Sequence, residues 1–240
     1  MKTIGMLGGM SWESTLSYYR ALNEGIKSRL GSLHSARICM ISVDFDEIEK
    51  LQHAGDWDQT GILLAEAARS VERGGADFLL ICTNTMHKVA PQIEAAIDIP
   101  LLHIADATGA ALQRDGLRRV GLLGTRFTME QEFYRRRITD NFGIEILIPE
   151  ASDRARVHDV IYGELCLGQV TESARADYLA VINRLTSAGA EAVILGCTEI
   201  AMLVQQRDTA VPLYDTTALH AQAAIDFALS AVTRITPEHD

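Results

Sequence analysis

Little in this sequence points to crosslinks, charge-driven binding or a membrane. Only four of its 240 residues are cysteine (Cys39, Cys82, Cys166, Cys197), too few and too scattered for a disulfide scaffold in a chain of this length. None forms a Cys-x-x-Cys pair with histidine partners, and the seven histidines lack His-Glu-x-x-His spacing, so no metal site is expected. Basic residues number 22 against 32 acidic, a formal net charge of −10, and no basic patch stands out. That balance offers no electrostatic footprint for nucleic acid or anionic lipid. No apolar stretch approaches the 18 or so residues of a membrane-spanning helix. Met1-Lys2-Thr3-Ile4-Gly5 lacks the apolar centre of a signal peptide. The expectation is a cytoplasmic protein with no nucleic-acid or membrane partner. Lysine is also scarce: Lys2, Lys27, Lys50 and Lys88 are the four present. None has the setting of a pyridoxal phosphate site, and no cofactor is expected. Lys88 alone lies near a turn of interest.

What is there is ordinary globular composition, 48% hydrophobic and 22% charged, enough for one large domain or two smaller ones. Short β-branched runs alternate with amphipathic stretches nearly from end to end. Strands are expected at Thr3–Leu7, Arg37–Val43, Phe78–Cys82, Pro100–His103, Arg119–Leu123, Ile144–Ile148, Ala192–Leu195 and Val211–Tyr214. Runs such as Phe78-Leu79-Leu80-Ile81 suit strands covered on both faces. Helices are expected at Trp57–Arg73, Thr128–Asn141, Asp153–Leu167, Glu172–Ala188 and Thr216–Thr233. A first helix carries an apolar stripe of Trp12, Leu16, Tyr19, Leu22, Ile26 and Leu30. The class is α/β with parallel sheets and helices on both faces.

The sequence also repeats itself. Gly75-Ala76-Asp77-Phe78-Leu79-Leu80-Ile81-Cys82-Thr83-Asn84-Thr85 aligns without a gap on Gly189-Ala190-Glu191-Ala192-Val193-Ile194-Leu195-Gly196-Cys197-Thr198-Glu199, 114 residues on. Val120–Gly124 echoes Ile4–Gly8 at an offset of 116, and Val211-Pro212-Leu213 echoes Ile99-Pro100-Leu101 at 112. Three matches in order favour duplication over chance. Two similar open-sheet domains are expected, 1–104 plus 216–240 and 105–215. Ligands of such sheets bind beyond the carboxyl ends of the strands, so a pseudo-two-fold pair presents both sets of strand ends to one cleft.

The repeat places Thr83 and Cys197 in equivalent positions, each past a strand and before a helix. A thiol beside free N–H groups and a helix N-terminus has a lowered pKa, and the same N–H groups suit a substrate carboxylate. Asn84, Thr85, Thr198 and Glu199 complete two polar clusters. Cys82 and Cys39 read as core, whereas the sequence leaves Cys166 undecided. Gly5-Met6-Leu7-Gly8-Gly9-Met10-Ser11 is a strand, a glycine turn and a helix start, with Ser11 or Ser14 as cap. It is not a dinucleotide fingerprint, and the Gly-Lys-Ser/Thr ending of a phosphate loop is absent. His87 could shuttle a proton, but capping or surface placement is the plainer reading. The acidic run Asp44/Asp46/Glu47/Glu49 and Arg135-Arg136-Arg137 read as solvated helix faces.

Gly8-Gly9-Met10-Ser11, Cys82-Thr83-Asn84-Thr85-Met86-His87 and Leu195-Gly196-Cys197-Thr198-Glu199 resemble, in sequence and spacing, the aspartate/glutamate racemase family of cofactor-independent amino-acid racemases. The likeness covers essentially the whole chain and is greatest to the bacterial broad-specificity branch. It implies two flavodoxin-like domains, an active site between them, a homodimer, and return of the segment after about Tyr214 to the first domain. It implies Cys197 as the base that serves the L-enantiomer. Asn84, Thr85 and Thr198 would hold the α-carboxylate and amino group, and Met10 (through its backbone) and Gln52 would add contacts. Glu199 would meet the amino group or orient Cys197.

Two departures stand out. The family's first motif places cysteine directly before the asparagine; here Thr83 fills that slot and Cys82 stands one residue early, on the opposite face. A threonine hydroxyl relays a proton but is a very poor base, so asymmetric catalysis that favours the L-enantiomer is expected. Cys166 stands where the family carries a basic residue for a side-chain carboxylate, which admits neutral substrates such as homoserine. Competing readings are the same fold acting on another small carboxylate, as in hydantoin racemases, maleate isomerases and decarboxylases, or a non-catalytic amino-acid sensor.

Overall fold

The computed structural model describes residues 1–230. In chain order it contains β1 (Ile4–Gly8), α1 (Trp12–Leu30), β2 (Ile38–Ser42), α2 (Phe45–Ala54), α3 (Trp57–Arg73), β3 (Phe78–Ile81), α4 (Ala90–Glu94) and α5 (Ile104–Arg114). There follow β4 (Arg119–Gly124), α6 (Arg126–Glu130), α7 (Glu132–Phe142), β5 (Glu145–Leu147), α8 (Ala151–Gly163) and α9 (Glu172–Ser187). The last elements are β6 (Ala192–Gly196), α10 (Ile200–Leu203), β7 (Leu213–Asp215) and α11 (Thr216–Leu229). Short 3-10 turns sit at Thr85–Val89, Leu165–Leu167 and Gln206–Asp208. No helix among the described residues is long and apolar enough to cross a membrane.

The strands form two parallel sheets, ordered β2-β1-β3 and β5-β4-β6-β7. The order 2-1-3 recurs as 5-4-6, the arrangement the internal repeat leads one to expect. Side chains of the first sheet alternate by residue parity. Ile4, Met6, Phe78, Leu80 and Cys82 pack under α1 and α11 with Tyr18, Leu22, Ala221, Ala224 and Ala228. Leu7, Leu79 and Ile81 pack on the other side with Ile48, Leu64, Ala68 and Val71. A separate core surrounds the second sheet. The chain crosses from the first sheet to the second through α5, and returns where β7 ends and α11 begins. Asp215 caps α11 at that return, its Oδ1 accepting from the N–H groups of Thr217 and Ala218.

The expected strand at Pro100–His103 shrinks to a single bridge between Leu79 and Leu101. Pro100 has no N–H to donate, and His103 is already the N-cap of α5. The expected helix Thr128–Asn141 is broken at Gln131, whose extended backbone (φ −85°, ψ 151°) separates α6 from α7. Asp153–Leu167 likewise ends as a helix at Gly163, α2 falls on the acidic run read as a helix face, and α5, not read from the sequence, fills a connection. The helix expected over Thr216–Thr233 is seen to Leu229; its end, like residues 231–240 of the first expected domain, lies outside the described residues.

The expected apolar stripe of α1 divides. Leu22 and Ile26 are buried, but Trp12, Leu16 and Tyr19 are 64%, 48% and 49% exposed, and Tyr18 takes the inner face. Hydroxyl partners in the core fix this rotation: Thr15 Oγ1 accepts from the Gly9 N–H at 2.8 Å, and Ser14 also points inward. Nor is the arginine run wholly solvated. Arg137 makes a two-pronged ion pair with Asp106 at 2.6 and 2.7 Å, which ties α7 to α5.

Two equivalent glycines let a helix approach each sheet closely. A Cβ at Gly5 would lie 2.6 Å from the Phe78 carbonyl oxygen and 2.7 Å from Val71 Cγ1. At Gly121 the nearest atom is Leu185 Cδ1 at 2.9 Å, the movable end of a side chain. Gly5→Ala should therefore destabilise by about 2–3 kcal/mol, near the top of the overpacking range, and Gly121→Ala by about 1 kcal/mol. Urea denaturation of the two variants checks this order.

Candidate active site

Four strand ends meet at one cavity of about 410 Å³, counting its mouth. β1 leads into a glycine turn before α1. Gly9 has φ +94°, and a Cβ there would lie 2.2 Å from the Val43 carbonyl oxygen, so only glycine fits. The turn delivers Met10 and Ser11 to the cavity. β3 delivers Thr83, Asn84 and Thr85; β4 delivers Thr125; β6 delivers Gly196, Cys197, Thr198 and Glu199. Gln52 on α2 and Tyr162 on α8 close it from the side, joined by a hydrogen bond from Gln52 Nε2 to Tyr162 Oη.

All nine residues expected at the site (Met10, Gln52, Thr83, Asn84, Thr85, Cys166, Cys197, Thr198 and Glu199) line this cavity. Cys82 does not. It is fully buried between the first sheet and α1, and burial alone pushes its thiol pKa far up. Cys166 sits on the Leu165–Leu167 turn with its pKa pushed up to about 12 by burial and then by the charges of Glu199 and Glu13. His87 is not on the surface, being 2% exposed, but it does cap: its Nε2 accepts the N–H of Ile104, the first residue of α5. Lys88 is absent from the lining and stacks over the Trp57 ring at 3.9 Å.

Glu199 organises the thiol side. Its Oε1 accepts from Ser11 Oγ at 2.7 Å and Ser14 Oγ at 2.9 Å, and its Oε2 accepts from Cys197 Sγ at 2.9 Å. Cys197 is therefore a thiol held against a carboxylate. Its pKa lies well above the ordinary value, raised first by burial, then by the Glu199 charge; the Glu199 backbone N–H pulls the other way but does not prevail. This corrects the expectation of a lowered pKa. The helix after Cys197, α10, spans only four residues, and its modest dipole faces a full negative charge two residues from the thiol.

On the other side Asn84 Nδ2 donates to Thr216 Oγ1 at 3.0 Å, and Thr216 Oγ1 donates to the Leu195 carbonyl at 2.9 Å. Asn84 Oδ1 is buried with no partner among the described residues, an acceptor free for a ligand donor. Thr85, Thr125 and Thr128 form a triangle of hydroxyls 3.1–3.3 Å apart. Among the described residues, lysine, arginine and histidine are absent from the lining, and Glu199 is its one charged residue.

Sequence reading missed several of these residues. Ser11 and Ser14 were visible only as caps; Ser11 does accept from the Ser14 N–H, but nothing local reveals that both hydroxyls reach a carboxylate some 185 residues away. Thr125 had a signal, since the offset of 116 that aligns Gly124 with Gly8 places it on Gly9. Tyr162 had none. It belongs to a cluster in which His53 and Trp57 on one side meet Phe127 and His158 on the other, with ring centroids 4.9–6.1 Å apart.

The family described as Asp/Glu/Hydantoin racemase matches residues 7–224. The broad specificity amino-acid racemase RacX of Bacillus subtilis (strain 168) is 23% identical over 176 residues, 73% of this chain and 75% of that protein. A candidate Asp/Glu racemase from Yersinia pestis, solved as a crystal structure, is 54% identical with a TM-score of 0.89, over 95% of this chain and 100% of the other. An aspartate racemase homologue from Pyrococcus horikoshii OT3 is 30% identical with a TM-score of 0.83, over 95% and 99%.

The hydrogen bond to Glu199 has a measurable consequence. Glu199→Gln removes the negative charge and replaces an acceptor-only group with one that can donate to sulfur. The pKa of Cys197 should fall, so alkylation of this thiol by iodoacetamide should reach its half-maximal rate at lower pH than in the parent protein. An unmoved or upward-shifted profile would mean that the carboxylate does not hold the thiol protonated.

Proposed function

The chain belongs to the Asp/Glu/hydantoin racemase family, and on that premise we propose that it is a pyridoxal-phosphate-independent amino-acid racemase. Its substrates are L-aspartate, L-glutamate and a broader set that includes homoserine. The observation that carries the reading is that Thr83 and Cys197, equivalent in the internal repeat, follow the ends of β3 and β6, one in each sheet, and line the same cavity. A two-base inversion needs two proton carriers approaching one carbon from opposite sides.

In this reading Cys197 passes its proton to Glu199 Oε2, along the 2.9 Å contact already present. The thiolate then takes the α-proton of the L-substrate and returns to thiol. The planar intermediate accumulates charge near the threonine hydroxyls and strand-end N–H groups, and such preorganised donors stabilise it. Thr83 Oγ1 gives a proton to the opposite face and regains one from water or, through water, from Glu199, which restores the starting state. The bound amino acid brings the missing ingredient. Its α-ammonium is a cation in a cavity whose charged side chain is a carboxylate, and it favours the thiolate that the empty cavity disfavours. Asn84 Oδ1 is a suitable acceptor for one of its N–H groups.

Threonine is a very poor base, so the D-enantiomer, which needs its α-proton removed from the Thr83 side, turns over slowly. The asymmetry is kinetic, because the equilibrium between enantiomers is fixed at unity. Among the described residues the lining has no lysine or arginine, which supports substrates beyond the acidic pair, since a side-chain carboxylate would find no cation among them. The residues 1–104 with 216–240 and 105–215 are read as the two domains. The homodimer that the resemblance implies is retained, and the exposed Trp12, Leu16 and Tyr19 of α1 are surface that a second copy would cover.

Deuterium exchange at the α-carbon in deuterated water, followed by chiral separation and without added cofactor, tests the function. L-Homoserine should exchange and invert at least as well as L-aspartate. Cys197→Ala should lower both processes by about 10²–10⁴-fold, the usual share of a positioned acid–base group. Thr83→Cys should raise D-substrate turnover about tenfold or more; if it does not, the asymmetry has another source. Binding of these amino acids without any exchange would leave a sensor.

A further inference from the structure

One buried side chain next to Thr83 takes no part in the reaction as drawn. His87, on the Thr85–Val89 turn, has its Nδ1 2.8 Å from the Thr83 carbonyl oxygen, and its Nε2 3.2 Å from the peptide nitrogen of Ile104, the first residue of α5. A carbonyl oxygen only accepts, so Nδ1 carries the hydrogen. A peptide N–H only donates, so Nε2 is bare. The two contacts agree on one neutral tautomer. A second proton would have to occupy Nε2, against the Ile104 N–H and at the positive end of α5. Burial, with His103, His220 and Arg137 nearby, drives the His87 pKa well down; the bond to the Thr83 carbonyl is the sole opposing influence. The ring is wedged in place by His103 at 4.4 Å and His220 at 5.9 Å between centroids. His220 is itself fixed between Tyr18 Oη and the Leu102 carbonyl, 2.8 Å from each. His103 in turn accepts the next N–H of α5, that of Ala105, at 3.2 Å.

His87 is thus unsuited to carrying protons and well suited to holding something still. What it holds is the carbonyl of Thr83. That oxygen belongs to the peptide plane linking Thr83 to Asn84, so fixing it fixes the start of the Asn84 backbone and the rotation about the Thr83 Cα–C bond. We propose that His87 is a positioning residue for the Thr83 face of the cleft: it anchors the Thr83–Asn84 peptide to the N-terminus of α5 and so aims Thr83 Oγ1 at the substrate α-carbon. The inference rests on the racemase reading above. It separates the two faces, since Cys197 depends on Glu199, Ser11 and Ser14, whereas Thr83 depends on His87.

The test compares two events from L-substrate in deuterated water. Deuterium appearing in recovered L-substrate reports removal and return on the Cys197 face; D-product reports delivery from the Thr83 face. His87→Leu offers nothing to Thr83 or to Ile104. His87→Asn places an amide N–H close to the position of Nδ1 but leaves Ile104 unpaired. In His87→Leu the ratio of inversion to exchange should fall about tenfold or more, the scale on which small misplacements of a reacting group act. Exchange into the L-form should stay within about twofold, and His87→Asn should recover most of the ratio. Both variants should melt below the parent, because both lose the Ile104 bond. Parallel loss of exchange and inversion, or equal ratios in Asn and Leu, would reduce His87 to a structural role. Nitrogen NMR of the parent protein needs no variant: a hydrogen on Nδ1, a bare Nε2 and no titration are expected, and the opposite tautomer or a titrating ring overturns the proposal. If the parent protein itself neither exchanges nor inverts any amino acid, the racemase reading fails, and the role of His87 fails with it.

Discussion

A carboxylate buried without a cation among the described residues is the constraint around which this molecule is arranged. Glu199 is 4% exposed, and the three groups that satisfy it come from both sheets: Ser11 and Ser14 from the start of α1, and Cys197 from the end of β6. A buried charge left unpaired costs several kcal/mol. The two serines therefore hold the halves in the one relation that keeps Glu199 paired. They also dictate how α1 is rotated, which exposes Trp12 and buries Tyr18. Together with burial, the larger influence, the same carboxylate keeps Cys197 a thiol. One group thus links the packing of the halves, the orientation of a helix and the protonation state of the residue proposed to do the chemistry.

The other face of the cleft is built on different means. Thr83, Asn84 and Thr85 are held by neutral hydrogen bonds: His87 on the Thr83 carbonyl, Thr216 on the Asn84 amide, and the hydroxyls of Thr125 and Thr128. Charge governs one wall and geometry the other. A catalyst that needs a strong base on one side and a well-aimed donor on the other would use such a division.

The sheets were legible because parallel strands buried on both faces write themselves as apolar runs, and because the repeat supplied each half as a check on the other. Phe78–Ile81 and Ala192–Gly196 came from both signals at once. The repeat also made Thr83, Asn84, Thr85, Cys197, Thr198 and Glu199 legible as a set, whereas Met10, Gln52 and Cys166 came through the family resemblance. Its electrostatics were not: the helix end after Cys197 favours a thiolate, but burial of the sulfur and, after it, the Glu199 charge two residues on raise the pKa instead. The rotation of α1 was hidden too. Leu16 and Tyr19 are as apolar as Leu22, yet hydroxyls at positions 14 and 15 decided which face turns inward. At Pro100–His103 the apolar pattern indicated a strand, while a missing N–H and a capping histidine left only one bridge.

Among the described residues the chain passes between the sheets twice, once through α5 and once at the junction of β7 with α11. Those two passages lie at different points, and two fixed points define a line. Rotation about that line leaves both connections unstretched, whereas sliding or twisting the halves would strain one of them. The covalent path alone thus reduces the relative freedom of the halves to something close to a door on two pins. The contacts among His53, Trp57, Phe127, His158 and Tyr162 join the two sides of the cleft, so they act as a latch on that door. In such a body, admission of a small molecule is an angular event, and its cost is set by how many ring contacts must part together with the Ser11 and Ser14 bonds to Glu199.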